Sequence, residues 1–202
     1  MHRISSDKDY YADGKVVIDA DGIPFEPASK GYVDQRVPIG SFTGTGSPEG
    51  KVTAPVGSVY TDSSATNGAI RWVKTSGTGN TGWRVEYGDT EERVYSDFLS
   101  SYTSSGSGRF LSRINENVRL DVVGRLLDTK GFEPGDVIGT LPAGFRPRRN
   151  YHAIIPASNV VLNVQANGQV SVVSGSASGY ITFTLSHSTR EPWPATLPGL
   201  PI

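Results

Sequence analysis

The chain contains no cysteine, so neither a disulfide framework nor a thiolate metal site can form. No apolar run approaches the ~18 residues a membrane-spanning helix needs, and no membrane insertion is expected. Net charge is also scarce. The 19 Lys+Arg and 20 Asp+Glu leave −1 at pH 7, which argues against a nucleic-acid partner, because that role selects a basic face. Charges of both signs are mixed along the proximal part of the chain, so no polybasic patch is set out for a membrane surface. The stretch from Met1 to Asp9 lacks an apolar core, and no secretory signal is expected. The most local absence lies farther along, since Tyr151 to Thr189 contains no Asp, Glu, Lys or Arg. A glycosidase needs two carboxyl groups about 5–10 Å apart. That stretch supplies neither, and the chain is not expected to be an enzyme.

What the chain does have is turns. Its 24 glycines and 13 prolines favour short strands over helix bundles, and the expected fold is mostly β. Lys15 to Ile18 reads as a strand, with a turn at Asp19 to Gly22. Ser29 to Val37 fits two helical turns capped by Ser29 and stopped by Pro38, or else a plain linker. As a helix it is shorter than the ~12–15 residues at which isolated helices become marginal. It would persist if three copies packed Tyr32, Val33 and Val37 together. Ile39 to Pro55 reads as a Gly/Pro/Ser/Thr-rich connector. Between Gly57 and Val85 short apolar runs flank Asn67-Gly68, a dipeptide that tolerates the positive φ of hairpin turns. These strands are too short to bury much alone. Trp72 and Trp83 are therefore expected to be covered by other copies of the chain, as intersubunit packing.

From Glu91 onward the pattern is that of an antiparallel sandwich. Arg93–Leu99 and Val118–Leu127 are candidate strands, and Tyr151–Ile155 is short and apolar. Val160–Val164 turns at Asn167-Gly168 into Gln169–Val173, and Tyr180–Leu185 alternates Ile181, Phe183 and Leu185 against threonines. Pro192 to Gly199 cannot continue a sheet and should lie on the surface as a tail.

Several motifs fail on inspection. Gly77-x-Gly79-x-x-Gly82 matches the dinucleotide fingerprint, but a strand pattern follows where the phosphate-holding helix should start. Gly175 to Gly179 has Ala177 where a nucleophile elbow carries serine. Asp19-x-Asp21-Gly22 lacks the further oxygen ligands and the later Glu of a calcium loop. His2, His152 and His187 stand at no metal-ligand spacing. No metal and no cofactor is expected.

The uncharged distal stretch offers Tyr151, His152, Asn163, Gln165, Asn167 and Tyr180 as candidate receptor-binding residues. Neutral polar groups beside aromatic faces suit hydroxyl-rich surfaces. The same residues would also suit a solvent-facing strand or a contact with a neighbouring subunit. Arg146-Pro147-Arg148-Arg149 could meet an acidic wall polymer, or pair locally with Asp128, Glu133 or Asp136.

Four stretches together carry a family resemblance: 28–37 (ASKGYVDQRV), 46–62 (GSPEGKVTAPVGSVYTD), 70–85 (IRWVKTSGTGNTGWRV), and 141–147 (LPAGFRP) with 192–199 (PWPATLPG). In these the chain resembles the minor tail proteins and tail-fibre or receptor-binding proteins of tailed bacteriophages, particularly those infecting actinobacteria. The resemblance implies a homotrimer in the virion tail tip, assembled in the host cytoplasm. It implies an N-terminal part docked on other tail or baseplate proteins and a β head that binds host surface polysaccharide. The expected layout is an attachment segment (1–28), a short helix and linker forming a stem (29–56), a β-hairpin collar (57–90) and an antiparallel β-sandwich head (91–202). A tail-tip trimer that only fastens neighbouring proteins is the alternative.

Overall fold

A computed structural model describes residues 10–12, 15–18, 39–103, 107–127, 130–156 and 158–202. Its contacts divide the chain into two units, 1–40 and 41–202. In the first unit Tyr10–Ala12 (β1) and Lys15–Ile18 (β2) form an antiparallel pair. The expected 29–37 segment with Tyr32, Val33 and Val37, and the 19–22 turn, lie outside the described residues.

The second unit begins with a four-stranded sheet. Its strands are Ser41–Gly44 (β3), Val59–Asp62 (β4), Ala69–Lys74 (β5) and Trp83–Gly88 (β6), in the order β3-β4-β5-β6. β3 and β4 run parallel, while the other pairs are antiparallel. Asn67-Gly68 does close the β4–β5 connection. Gly68 has φ 78°, and a Cβ there would fall 1.8 Å from the Asp89 carbonyl oxygen. Any other residue would be both strained and obstructed. The Gly77–Gly82 loop between β5 and β6 turns its carbonyls inward. Those of Gly79 (2.7 Å) and Thr81 accept from the buried Lys74 ammonium. That polarity is opposite to a phosphate cradle, and strand β6 follows directly.

The remainder is a sandwich of two antiparallel sheets. One has the order β14-β9-β8-β7-β15, built from Arg93–Val94 (β7), Gly108–Ile114 (β8), Asn117–Arg125 (β9), Tyr180–Ser188 (β14) and Leu200–Pro201 (β15). The other has the order β10-β13-β12-β11, built from Val137–Thr140 (β10), Tyr151–Ile155 (β11), Val160–Val164 (β12) and Gln169–Ser174 (β13). Period-2 alternation sends Val118, Leu120 and Val122 of β9 and Ile181, Phe183 and Leu185 of β14 into one core with Val160, Leu162, Val164, Val170 and Val172 from the facing sheet. Among the described residues there is no helix, so the chain is mostly β.

Four expectations are corrected. The 39–55 stretch, read as a connector, supplies strand β3 and buries Ala54 in the tryptophan cluster. The strand read over Arg93–Leu99 ends at Val94. Leu99 takes φ 57°, and the turns that follow bury Phe98, Leu99 and Tyr102 as a plug at the end of the core. Trp72 and Trp83 are each only 5% exposed within the single chain, so their burial requires no second copy. Tyr60, Ala54, Ala69 and Trp193 complete their cluster, and Phe42 meets Trp83 edge-on at 6.4 Å. The tail is likewise not a surface strap. Trp193 is buried, its indole N–H donates to the Asn67 carbonyl at 2.8 Å, and β15 pairs with β7. The reason is an area too large to leave in water, met by a carbonyl that the Asn67 turn leaves free to accept.

The small sheet is also joined to the sandwich along the 88–90 stretch. Asn115 N–H donates to the Gly88 carbonyl and its side-chain Oδ1 accepts from Gly88 N–H, while Thr90 N–H donates to the Arg113 carbonyl.

Candidate functional site

Two sheet edges meet where β11 begins and β14 ends. Tyr151 shares the inward-facing parity of Ala153 and Ile155, and His187 shares that of Phe183 and Leu185. Both therefore point between the sheets, at the open end where aliphatic core gives way to polar side chains. The Tyr151 hydroxyl lies 3.0 Å from His187 Nδ1, and the rings are 5.6 Å apart. His187 Nε2 lies 2.9 Å from the Phe145 carbonyl. A carbonyl can only accept, so Nε2 carries the proton and Nδ1 accepts from the phenol.

The third wall is the 144–149 segment. Phe145 is fully buried and anchors it, and the Glu191 carboxylate accepts from the backbone N–H groups of Gly144 (2.6 Å) and Arg146 (3.3 Å). Arg148 N–H donates to the Ser188 carbonyl at 3.1 Å, which ties the segment to the end of β14. The result is a cleft of about 540 Å³ lined by Pro147, Arg148, Arg149, Tyr151, His187 and Ser188. Arg148 and Arg149 stand exposed on its rim. The expected ion pairs to Glu133 or Asp136 do not form among the described residues, and Asp128 lies outside them. Arg146 instead faces Glu191 at 3.9 Å, and Asp136 accepts from Glu133 N–H within its own turn.

Burial sets the protonation of this pair. It pushes the Tyr151 phenol up to about 12, so the hydroxyl keeps its proton at neutral pH. It lowers the His187 imidazole below its usual 6.5, against the opposing effect of the bond to Phe145. A base whose folded pKa is depressed contributes stability fully present above 6.5 and lost as pH falls through the folded value. The unfolding free energy should therefore drop as pH falls below 6.5 in the native chain and drop less in His187→Gln. Urea unfolding across that pH range reads the difference, and parallel curves would refute it.

The six sequence-predicted receptor residues do not converge. Tyr151 alone lines the cleft. His152 and Asn163 sit opposite one another in register on the outer face of the four-stranded sheet. Gln165 and Asn167 shape the β12–β13 turn, with Gln165 bonded to Gln169 at 3.0 Å and Asn167 accepting from Gln169 N–H. Tyr180 is 81% exposed on the other sheet, with Arg125 6.0 Å from its ring. His187, Ser188, Arg148 and Arg149 were not grouped with Tyr151 from sequence. The available signal was parity, because the alternation of Ile181, Phe183 and Leu185 continues onto His187.

A smaller cleft of about 290 Å³ lies beside the tryptophan cluster and includes Trp72, Arg84, Arg113, Glu116, Glu191 and Trp193 in its lining. Its charges are largely internal: Arg84 lies 4.0 Å from Glu116, and Arg113 is taken up by backbone carbonyls. No protein-family model matches the chain and no curated protein matches it, so the chemistry of both clefts is argued from their own residues.

Proposed function

We propose that the chain is a virion tail component, of the minor-tail or tail-fibre kind, that attaches to the host cell surface through an envelope glycan. In this reading the chain forms a homotrimer at the tail tip, its N-terminal part fastens to other tail or baseplate proteins, and the sandwich binds the glycan. The observation that carries it is the cleft at the β11–β14 edge. Its lining joins an aromatic ring, two hydroxyls and two guanidinium groups on the described surface of the sandwich. It contains no carboxylate, which supports binding over glycoside cleavage. A millimolar site repeated three times per trimer, and across a particle, would hold through effective concentration.

The second reading, a trimer that only fastens neighbouring tail proteins, draws on a different face. The outer side of the four-stranded sheet leaves Val137 (47%), Ile154 (61%) and Val173 (48%) exposed with no charged residue among them. Such a surface suits a protein neighbour.

The test uses the full chain, since a form ending near Thr90 would lose Trp193 from the small core. Labelled protein should bind a panel of actinobacterial cells saturably and be displaced by purified wall polysaccharide. Absence of binding across the panel would leave the fastening role. A light-scattering mass of one chain would sink the trimer.

A further inference from the structure

Most cations of the 41–202 unit are already used. Arg71 pairs with Glu86 at 2.7 Å, Arg119 with Asp121 at 2.6 Å and Arg146 with Glu191 at 3.9 Å. Arg93 donates to the carbonyls of Pro198 and Gly199, Arg113 to those of Asn115, Gly144, Glu191 and Pro192, and Lys74 to those of Gly79 and Thr81. Arg148 and Arg149 differ. Neither guanidinium has an ion pair or a hydrogen bond among the described residues, yet both line the larger cleft. Residues 137–190 contain no Asp or Glu, and the adjoining Glu191 carboxylate is taken up by the N–H groups of Gly144 and Arg146 and by the Arg146 guanidinium. The Trp-lined cleft provides the contrast, with the carboxylates of Glu49, Glu116 and Glu191 in its wall.

We infer that the cleft takes an oxyanion, a phosphodiester or a carboxylate, carried on a hydroxyl-rich polymer, with Arg148 and Arg149 as its ligands. The guanidinium fork presents paired donors that match two oxygens of either group, and charge-assisted bonds of this kind are the strong ones. Ser188 and the Tyr151 oxygen lie beside them for the hydroxyls of the carrier. Tyr151 spends its own proton on His187 Nδ1, so towards a ligand it presents a fixed acceptor. The pair thus acts as a positioning element and the two arginines as the anion clamp. The volume of about 540 Å³ has room for one or two polymer units rather than a lone ion. This assignment rests on reading the cleft as the recognition site, and the experiment separates the two ideas.

The full chain is titrated calorimetrically with poly(glycerol phosphate), with polygalacturonate, with neutral dextran and with duplex DNA, each at low and at raised salt. One or both of the first two should bind, dextran and DNA should bind at least about tenfold more weakly, and raised salt should weaken the interaction. The double variant R148A/R149A should lose on the order of tenfold or more in affinity. Its thermal unfolding should match the native chain, since both side chains are exposed and unpartnered. Which polymer binds identifies the source of the anion. The inference is overturned if neither anionic polymer binds, if dextran or DNA binds as well as they do, or if R148A/R149A binds like the native chain. On cells the two claims part: undiminished attachment by R148A/R149A removes the anion clamp alone, whereas no attachment by the native chain removes the adhesive function.

Discussion

Replacing Trp193 with alanine is expected to lower the unfolding free energy by about 3–5 kcal/mol, the range for truncating a buried aromatic. The indole is 8% exposed and closes the small tryptophan core from the far end of the chain. Gly88 lies so close that a Cβ there would stand 2.8 Å from the ring, and the Arg113 guanidinium rests 4.7 Å from its centre. The truncation thus empties a site that rigid strands surround, and it also strips Asn67 O of its donor. Urea unfolding measures the loss. Fluorescence supplies a second readout, because Trp72 and Trp83 would become hydrated and their emission should move to the red. Trp193→Phe should cost less, since the ring area largely remains and one hydrogen bond of about 1 kcal/mol goes. A change below about 0.5 kcal/mol for Trp193→Ala, the level of an ordinary surface substitution, would show that the tail is not part of the core.

Arg113→Met should cost about 3 kcal/mol or more by leaving several buried carbonyls without donors. The side chain is 4% exposed. Its Nε donates to Asn115 O (2.8 Å), Nη1 to Gly144 O (2.5 Å) and Pro192 O (3.1 Å), and Nη2 to Glu191 O (3.2 Å). One planar group thereby joins the β8–β9 turn, the 144–149 wall of the cleft and the C-terminal tail. Burial pulls the guanidinium down to about 10, with Glu191 and Glu116 opposing, so it still carries its charge at neutral pH. Arg113→Lys should recover only part of the loss, because an ammonium is a single point of charge and cannot span carbonyls on three segments. Combined with Trp193→Ala the effects should fall short of their sum, since the two side chains touch. Full additivity in the urea experiment would mean that they hold the tail independently.

Both predictions concern contacts that sequence patterns do not announce. Turn chemistry was legible, as Asn67-Gly68 and Asn167-Gly168 each close a connection between antiparallel strands. So was the strand that follows Gly82, which removed the dinucleotide reading. The candidate site was legible only in pieces. Tyr151, His187 and the Arg146–Arg149 run were each visible, but nothing local says that the end of β14 lies against the start of β11. The segment read as a tail illustrates the same limit. Proline-rich composition correctly predicted that Pro192–Gly199 would form no long strand, and it said nothing about where Trp193 would go.

By itself, then, the sequence determined the class of fold, most strand positions in the sandwich and the uncharged character of its distal half. Each follows from a period or a dipeptide, in which the informative residues are neighbours along the chain. The tertiary structure decided what covers Trp72 and Trp83, which carboxylate holds Arg146, and which residues share the cleft. Those outcomes depend on partners far apart in sequence, such as Asn67 with Trp193, Arg146 with Glu191 and Tyr151 with His187. Such partners are selected by buried area and by hydrogen bonds that exist only once both sheets have closed.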